Sequence, residues 1–133
     1  MIAKKRILFV DDDPAILAGL ENALRRDRTR WEMVFALGGQ LGLDEIRRKS
    51  FDVVVSDMTM PGVDGASLLN AVKDECPATV RILLSGYSDD ATLALVLPLL
   101  HELLSKPCTV ATLRSAIERF PRGTQRSIDT VDV

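Results

Sequence analysis

Two short stretches of this chain are apolar throughout, and each stops abruptly at acidic residues. Ile7-Leu8-Phe9-Val10 runs into Asp11-Asp12-Asp13, and Val53-Val54-Val55 runs through Ser56 into Asp57. A strand with one wet face alternates apolar and polar residues. A strand that is apolar at every position is buried on both faces, which is the habit of parallel sheets covered by helices. Strands of this kind need helical crossovers, so the feature constrains the rest of the chain to an α/β arrangement.

The intervening segments fit that requirement. Asp13-Pro14 reads as an N-cap followed by proline at the first helical position, and Ile16, Leu17, Leu20 and Leu24 continue a helix to about Arg26. A second strand is expected over Trp31 to Phe35, then a helix from about Gly39 to Lys49 that Gly42 should weaken. After Asp57, Met60-Pro61-Gly62-Val63-Asp64-Gly65 reads as a loop, with Asp64-Gly65 as turn and helix start and Ala66 to Asp74 helical. Val80 to Leu84 forms the fourth strand, Asp89-Asp90 opens a helix that Pro98 should end or kink, and Glu102 to Leu104 is a short fifth strand. The last helix is expected from about Val110 to Phe120. The division implied is one domain over 1–122 and a polar tail or linker over 123–133.

Composition narrows the class. Of 133 residues, 47% are hydrophobic and 27% charged, and the net charge is -2, so no global field draws the chain to nucleic acid or an anionic membrane. His101 is the sole histidine, which rules out multi-histidine metal centres. Cys76 and Cys108 are far apart and read as reduced structural thiols. No secretory leader pattern opens the sequence, and the apolar stretch Ala91 to Leu100 is broken by Pro98 and too short to span a bilayer. A soluble, cytoplasmic protein is expected.

Strand-helix order repeated five times gives a doubly wound parallel sheet, whose ligands bind at the carboxyl ends of the strands. Asp11, Asp12, Asp57, Ser85 and Lys106 all fall at or just past such ends. Each has a plain alternative: a strand-end serine, a solvated lysine, a capping aspartate. Asp13 is read as the cap and Asp89-Asp90 as helix-start charges. The joint placement is what makes a site. Converging carboxylates repel unless a cation joins them, and hard oxygen donors in an open setting suit Mg2+. Mg2+ held by Asp12, Asp57 and, through water, Asp11, with Lys106 as a fixed charge and Ser85 as a hydroxyl donor, equips Asp57 to become an acyl phosphate.

These residues resemble the receiver domains of bacterial two-component response regulators. The resemblance is carried by Ile7 to Pro14, by Asp52 to Gly65, by Leu84-Ser85-Gly86 and by Ser105-Lys106-Pro107, and spans roughly residues 5 to 120. It implies a flavodoxin-like, five-stranded sheet in the order 2-1-3-4-5 with helices on both faces. It makes Asp57 the phosphoacceptor, Asp11 and Asp12 the Mg2+-placing pair, the Thr59 backbone carbonyl a further ligand, Ser85 the switch hydroxyl and Lys106 the phosphoryl-contacting lysine. It also implies a cis Lys106-Pro107 peptide, a donor that is a histidine kinase or phosphotransfer protein, and no enzymatic activity beyond Mg2+-dependent self-phosphorylation and slow autodephosphorylation.

One departure stands out. The family often has Tyr or Phe three residues before the lysine, where this chain has Leu103, so coupling to the output face cannot use the usual aromatic swing. Thr59 and Tyr87 occupy positions that in the family govern hydrolysis of the acyl phosphate. The fourth helix carries apolar residues around much of its surface. Leu93, Leu97 and Leu100, with Leu103 of the fifth strand, therefore mark an expected contact surface, made by the fourth helix, the fifth strand and the last helix, for a homodimer partner or an output domain. Two rival readings are a haloacid-dehalogenase-like phosphohydrolase and a non-phosphorylated pseudo-receiver. The hydrolase needs its lysine before its acidic pair, an order this chain reverses, and it leaves Asp57 unexplained.

Overall fold

A computed structural model of the chain describes residues 4–86 and 90–120, with Asp90 described by its backbone alone. Tyr87, Asp89 and the expected tail over 123–133 lie outside the described residues. Five strands, β1 (Lys5–Asp11), β2 (Trp31–Leu37), β3 (Val53–Asp57), β4 (Val80–Ser85) and β5 (Glu102–Ser105), form one sheet in the order β2-β1-β3-β4-β5. All four pairings are parallel. Five helices, α1 (Pro14–Ala23), α2 (Gly39–Arg48), α3 (Gly65–Glu75), α4 (Asp90–Val96) and α5 (Val110–Glu118), make the connections and cover both faces.

Alternation along the strands sorts the apolar residues into two layers. Ile7, Phe9, Val53, Val55 and Ile82 pack with Leu17 of α1 and with Leu113 and Ile117 of α5. Leu8, Val10, Val54 and Leu83 pack with Ile46 of α2, Leu68 and Val72 of α3 and Val96 of α4. The three central strands are thus buried on both sides, as their uniform composition requires. Fully burying one such side chain is worth roughly 1.5–3 kcal/mol.

Element boundaries depart from the sequence expectation at the ends of α1 and β2. First, α1 stops at Ala23 and the chain tightens into a 3-10 turn over Arg25–Thr29. The turn sets Asp27 where Arg30 and Arg114 both reach its carboxylate. Second, β2 runs on to Leu37, because β1 supplies pairing partners as far as Asp11 opposite Leu37. At Pro98 the expectation holds: α4 ends at Val96 and a 3-10 turn, Leu97–Leu99, follows where Pro98 removes an N–H. Gly42 does not break α2. A Cβ there would lie 2.9 Å from Cγ2 of Val10, so the missing side chain lets the helix close onto β1.

Candidate functional site

The strand ends bring together the residues singled out above. Asp11 is the last residue of β1 and Asp57 the last of β3; they are 3% and 7% exposed. Asp12 follows directly and faces solvent. Carboxylate oxygens of Asp11, Asp12 and Asp57 all lie within 4.8 Å of one another. Asp13 stands apart from the cluster: its carboxylate accepts the Ala15 N–H at 2.9 Å and caps α1. Its own N–H donates to Oδ1 of Asp11 at 2.9 Å, so the helix start also orients that carboxylate.

Lys106 reaches in from the loop after β5. Its Nζ lies 2.8 Å from Oδ1 of Asp57 and 3.4 Å from Oδ2 of Asp11. The Lys106 backbone is fixed too, since its N–H donates to the Ser85 carbonyl at 2.9 Å and Ser85 sits opposite Ser105 in the sheet. The Lys106–Pro107 peptide is cis. Thr59 is exposed at the start of the loop between β3 and α3. Asp64 caps α3 by accepting the Ser67 N–H at 2.8 Å.

Electrostatics follow from this crowding. Burial lifts the Asp11 carboxyl above the ordinary carboxylate range and the nearby charge of Asp57 adds to it, against the opposing pull of the Asp13 N–H and Lys106. Burial also works against the charge on Lys106, but its hydrogen bond and attraction to Asp57, seconded by Asp11, outweigh that and hold its pKa above the ordinary lysine value. Asp11 and Asp57 thus share one ammonium while a third carboxylate stands beside them. Three carboxylates presenting hard oxygen donors, in surplus over the cation that faces them, form a donor set that fits a divalent ion such as Mg2+.

Two further features had no signal in the sequence. An apolar groove of about 460 Å3 opens beside Lys106, lined by Ile16 and Leu20 of α1, Leu84, Pro107 and Cys108 among others. The main chain after Asp57 is also enclosed. Ser56 donates to the Asp57 carbonyl, and Gly65 lies so close that a Cβ there would sit 2.3 Å from the same oxygen. The expected output residues divide. Leu97 is 50% exposed, and its neighbour Leu95, not singled out above, is 77% exposed. Leu93, Leu100 and Leu103 are half-buried against the layer shared by α2, α3 and α4.

Comparison with known proteins places this arrangement. The chain is 31% identical over 125 residues to the transcriptional regulatory protein CseB of Streptomyces coelicolor, covering 90% of this chain and 52% of that protein. It is 32% identical over 137 residues to the DNA-binding transcriptional regulator NtrC of Escherichia coli, covering 96% of this chain and 29% of that protein. The chain therefore spans about half the length, or less, of these curated relatives. Among solved structures, a CheY-like response regulator receiver domain protein from Methanospirillum hungatei superposes with a TM-score of 0.82 at 27% identity, over 88% of this chain and 93% of that one. The receiver domain of an HD domain-containing protein from Pseudomonas fluorescens gives 0.81 at 28% identity, over 89% and 94%. The sequence model of the response regulator receiver domain matches residues 7–118, which takes in both acidic strand ends and Lys106. That match covers most of the chain, and the chain belongs to the response regulator receiver domain family.

Proposed function

We propose that this chain is a phosphoacceptor switch of a two-component relay, in which Asp57 takes a phosphoryl group from a histidine kinase or phosphotransfer protein. The observation that carries the reading is the 2.8 Å contact of Lys106 with Asp57 inside a cluster of three carboxylates. An Asp57 oxygen attacks phosphorus, the bond from phosphorus to the donor's imidazole nitrogen breaks, and its electron pair stays on that nitrogen, leaving an acyl phosphate. Lys106, already aimed at the acceptor oxygen, holds positive charge against the incoming phosphoryl oxygens, and the Ser85 hydroxyl donates to one of them once they arrive. Mg2+, when held by Asp11, Asp12, Asp57 and the Thr59 carbonyl, supplies charge that neutralises the same oxygens. The chain's own chemistry is confined to self-phosphorylation from small donors and slow loss of the group to water.

The groove beside Lys106 gives the donor a seat, since a helix laying apolar residues across Ile16 and Leu20 would bring its phosphohistidine to the acidic cluster. Signal leaves by another face. Leu95 and Leu97 expose apolar surface on α4 and the turn after it, next to β5, which fits a second copy or an output domain. Leu97→Glu is expected to weaken that association several-fold in sedimentation or pull-down measurements without altering phosphorylation of Asp57. Unchanged association would remove this face from consideration. A receiver unit over 1–122 with a tail over 123–133, acting in the cytoplasm without touching nucleic acid itself, completes the reading. Among the described residues, no helix is long and apolar enough to cross a membrane.

Intact-mass measurement after incubation with Mg2+ and a small acyl phosphate tests the proposal. The wild type should gain one phosphoryl group that Asp57→Ala cannot accept. A wild type that gains none points to the pseudo-receiver. Rapid multiple turnover that is lost in Asp11→Asn and kept in Asp57→Ala points to the phosphohydrolase.

A further inference from the structure

Ser56 is a completely buried hydroxyl in β3 that the phosphorylation chemistry does not use. Strand alternation puts its side chain on the same face as Val54, in the layer against α2, α3 and α4, where a bare hydroxyl would be costly. It donates instead to the carbonyl of Asp57 at 2.8 Å. The neighbouring chain explains why that carbonyl needs a partner. Pairing of β1 with β3 ends at Val10 opposite Ser56, so β1 gives no further register beyond this point. The N–H of the same peptide, carried by Met58, donates to the Leu84 carbonyl of β4 at 3.1 Å. Gly65 closes the third side: its N–H donates to the Met58 carbonyl at 2.9 Å, and its α-carbon abuts the Asp57 oxygen too closely for any side chain.

The peptide joining Asp57 to Met58 is thus held by a side-chain hydroxyl, a strand and a helix start. On it hang two groups of the site: the Asp57 carboxylate one way along the chain, and the Thr59 carbonyl the other. We infer that Ser56 is a positioning residue for phosphoryl transfer, its hydroxyl fixing the Asp57–Met58 peptide so that the Asp57 carboxylate and the Thr59 carbonyl meet Asp11 and Asp12 in metal-binding geometry. The inference rests on the phosphoacceptor reading for its consequence and on the hydrogen bond for its cause.

Three proteins test it: wild type, Ser56→Ala, and Ser56→Cys, which is close in size and a far weaker donor. Each is measured for Mg2+ affinity by calorimetry, for the rate of phosphorylation by a small acyl phosphate, and for its thermal midpoint. Loss of one aligned hydrogen bond predicts a three- to tenfold drop in both Mg2+ affinity and phosphorylation rate for Ser56→Ala, with Ser56→Cys close to it. If either folded variant keeps wild-type values for both while only its midpoint falls, Ser56 is structural and the inference is overturned. A wild type that takes up no phosphoryl group defeats the phosphoacceptor reading instead, and the Mg2+ affinities still decide the role of Ser56.

Discussion

Asp11 and Asp27 are buried alike, at 3% and 4% exposure, yet their surroundings push them in opposite directions. Asp11 lies at the carboxyl edge of the sheet beside two other carboxylates and shares Lys106 with Asp57. Asp27 lies in the turn before β2, toward the other edge. Burial would raise its pKa as well, but Arg114 and Arg30 reach its carboxylate at 3.0 and 2.8 Å and hold it below the ordinary carboxylate range. Arg30 is itself secured by Glu118 at 2.7 Å and by the face of Trp31, 4.1 Å from its guanidinium carbon. Charge at one edge is neutralised and ties α5 to the turn after α1. At the other it is left in surplus, a standing cost in stability that a bound cation would relieve.

The largest expected effect is at the neutralised edge. Asp27→Ala strands two arginines, of which Arg114 is mostly buried, and should cost about 3 kcal/mol in urea unfolding. A loss under 1 kcal/mol would mean that the network is no stronger than a surface pair. Next comes the surplus edge. Asp11→Asn should stabilise the metal-free protein by on the order of 1 kcal/mol, because it removes a carboxylate that is buried beside another. The same variant should lose most of the rise in thermal midpoint that Mg2+ gives the wild type. A destabilised Asp11→Asn would show that Lys106 compensates Asp11 fully, and the contrast between the edges would collapse.

The smallest effect is in pH dependence, where the two signs separate. The Asp27 carboxyl is depressed in the folded state, so its contribution is present above the ordinary aspartate value of 3.8 and is lost as pH falls through the folded pKa. The Asp11 carboxyl is raised, so the folded state binds its proton more tightly, and stability declines as pH rises from 3.8 through the folded value. Metal-free stability measured across this range should keep its acid-side fall but lose part of the later decline in Asp11→Asn. The reverse should hold in Asp27→Ala.

How far the sequence could be read differs between these edges. The acidic strand ends were legible because two-sided burial makes the runs Ile7 to Val10 and Val53 to Val55 wholly apolar, so Asp11 and, one serine further on, Asp57 stand out at their ends. Nothing marked Asp27. It sits among arginines at a helix end and resembles any solvated charge until the 3-10 turn and α5 enclose it. The groove beside Lys106 was hidden for a similar reason, since it is built from the flanks of α1 and α5, whose residues read as ordinary amphipathic faces. Gly42 misled in the other direction: propensity marks glycine as a weak helix former, while packing against Val10 requires it.

By itself the sequence determined the α/β order, the parallel sheet and the five residues at its carboxyl edge. Those follow from local pattern, from strand alternation or its absence, and from the rule that crossovers return to the same edge. Only the tertiary structure decided that Lys106 touches Asp57 and Asp11 together, that Leu95 and Leu97 are left exposed while Leu103 is half-buried, and that Ser56 grips the carbonyl of Asp57. Each is a contact between elements or across a strand end, fixed by how helices settle on a sheet, and no periodicity along the chain encodes it.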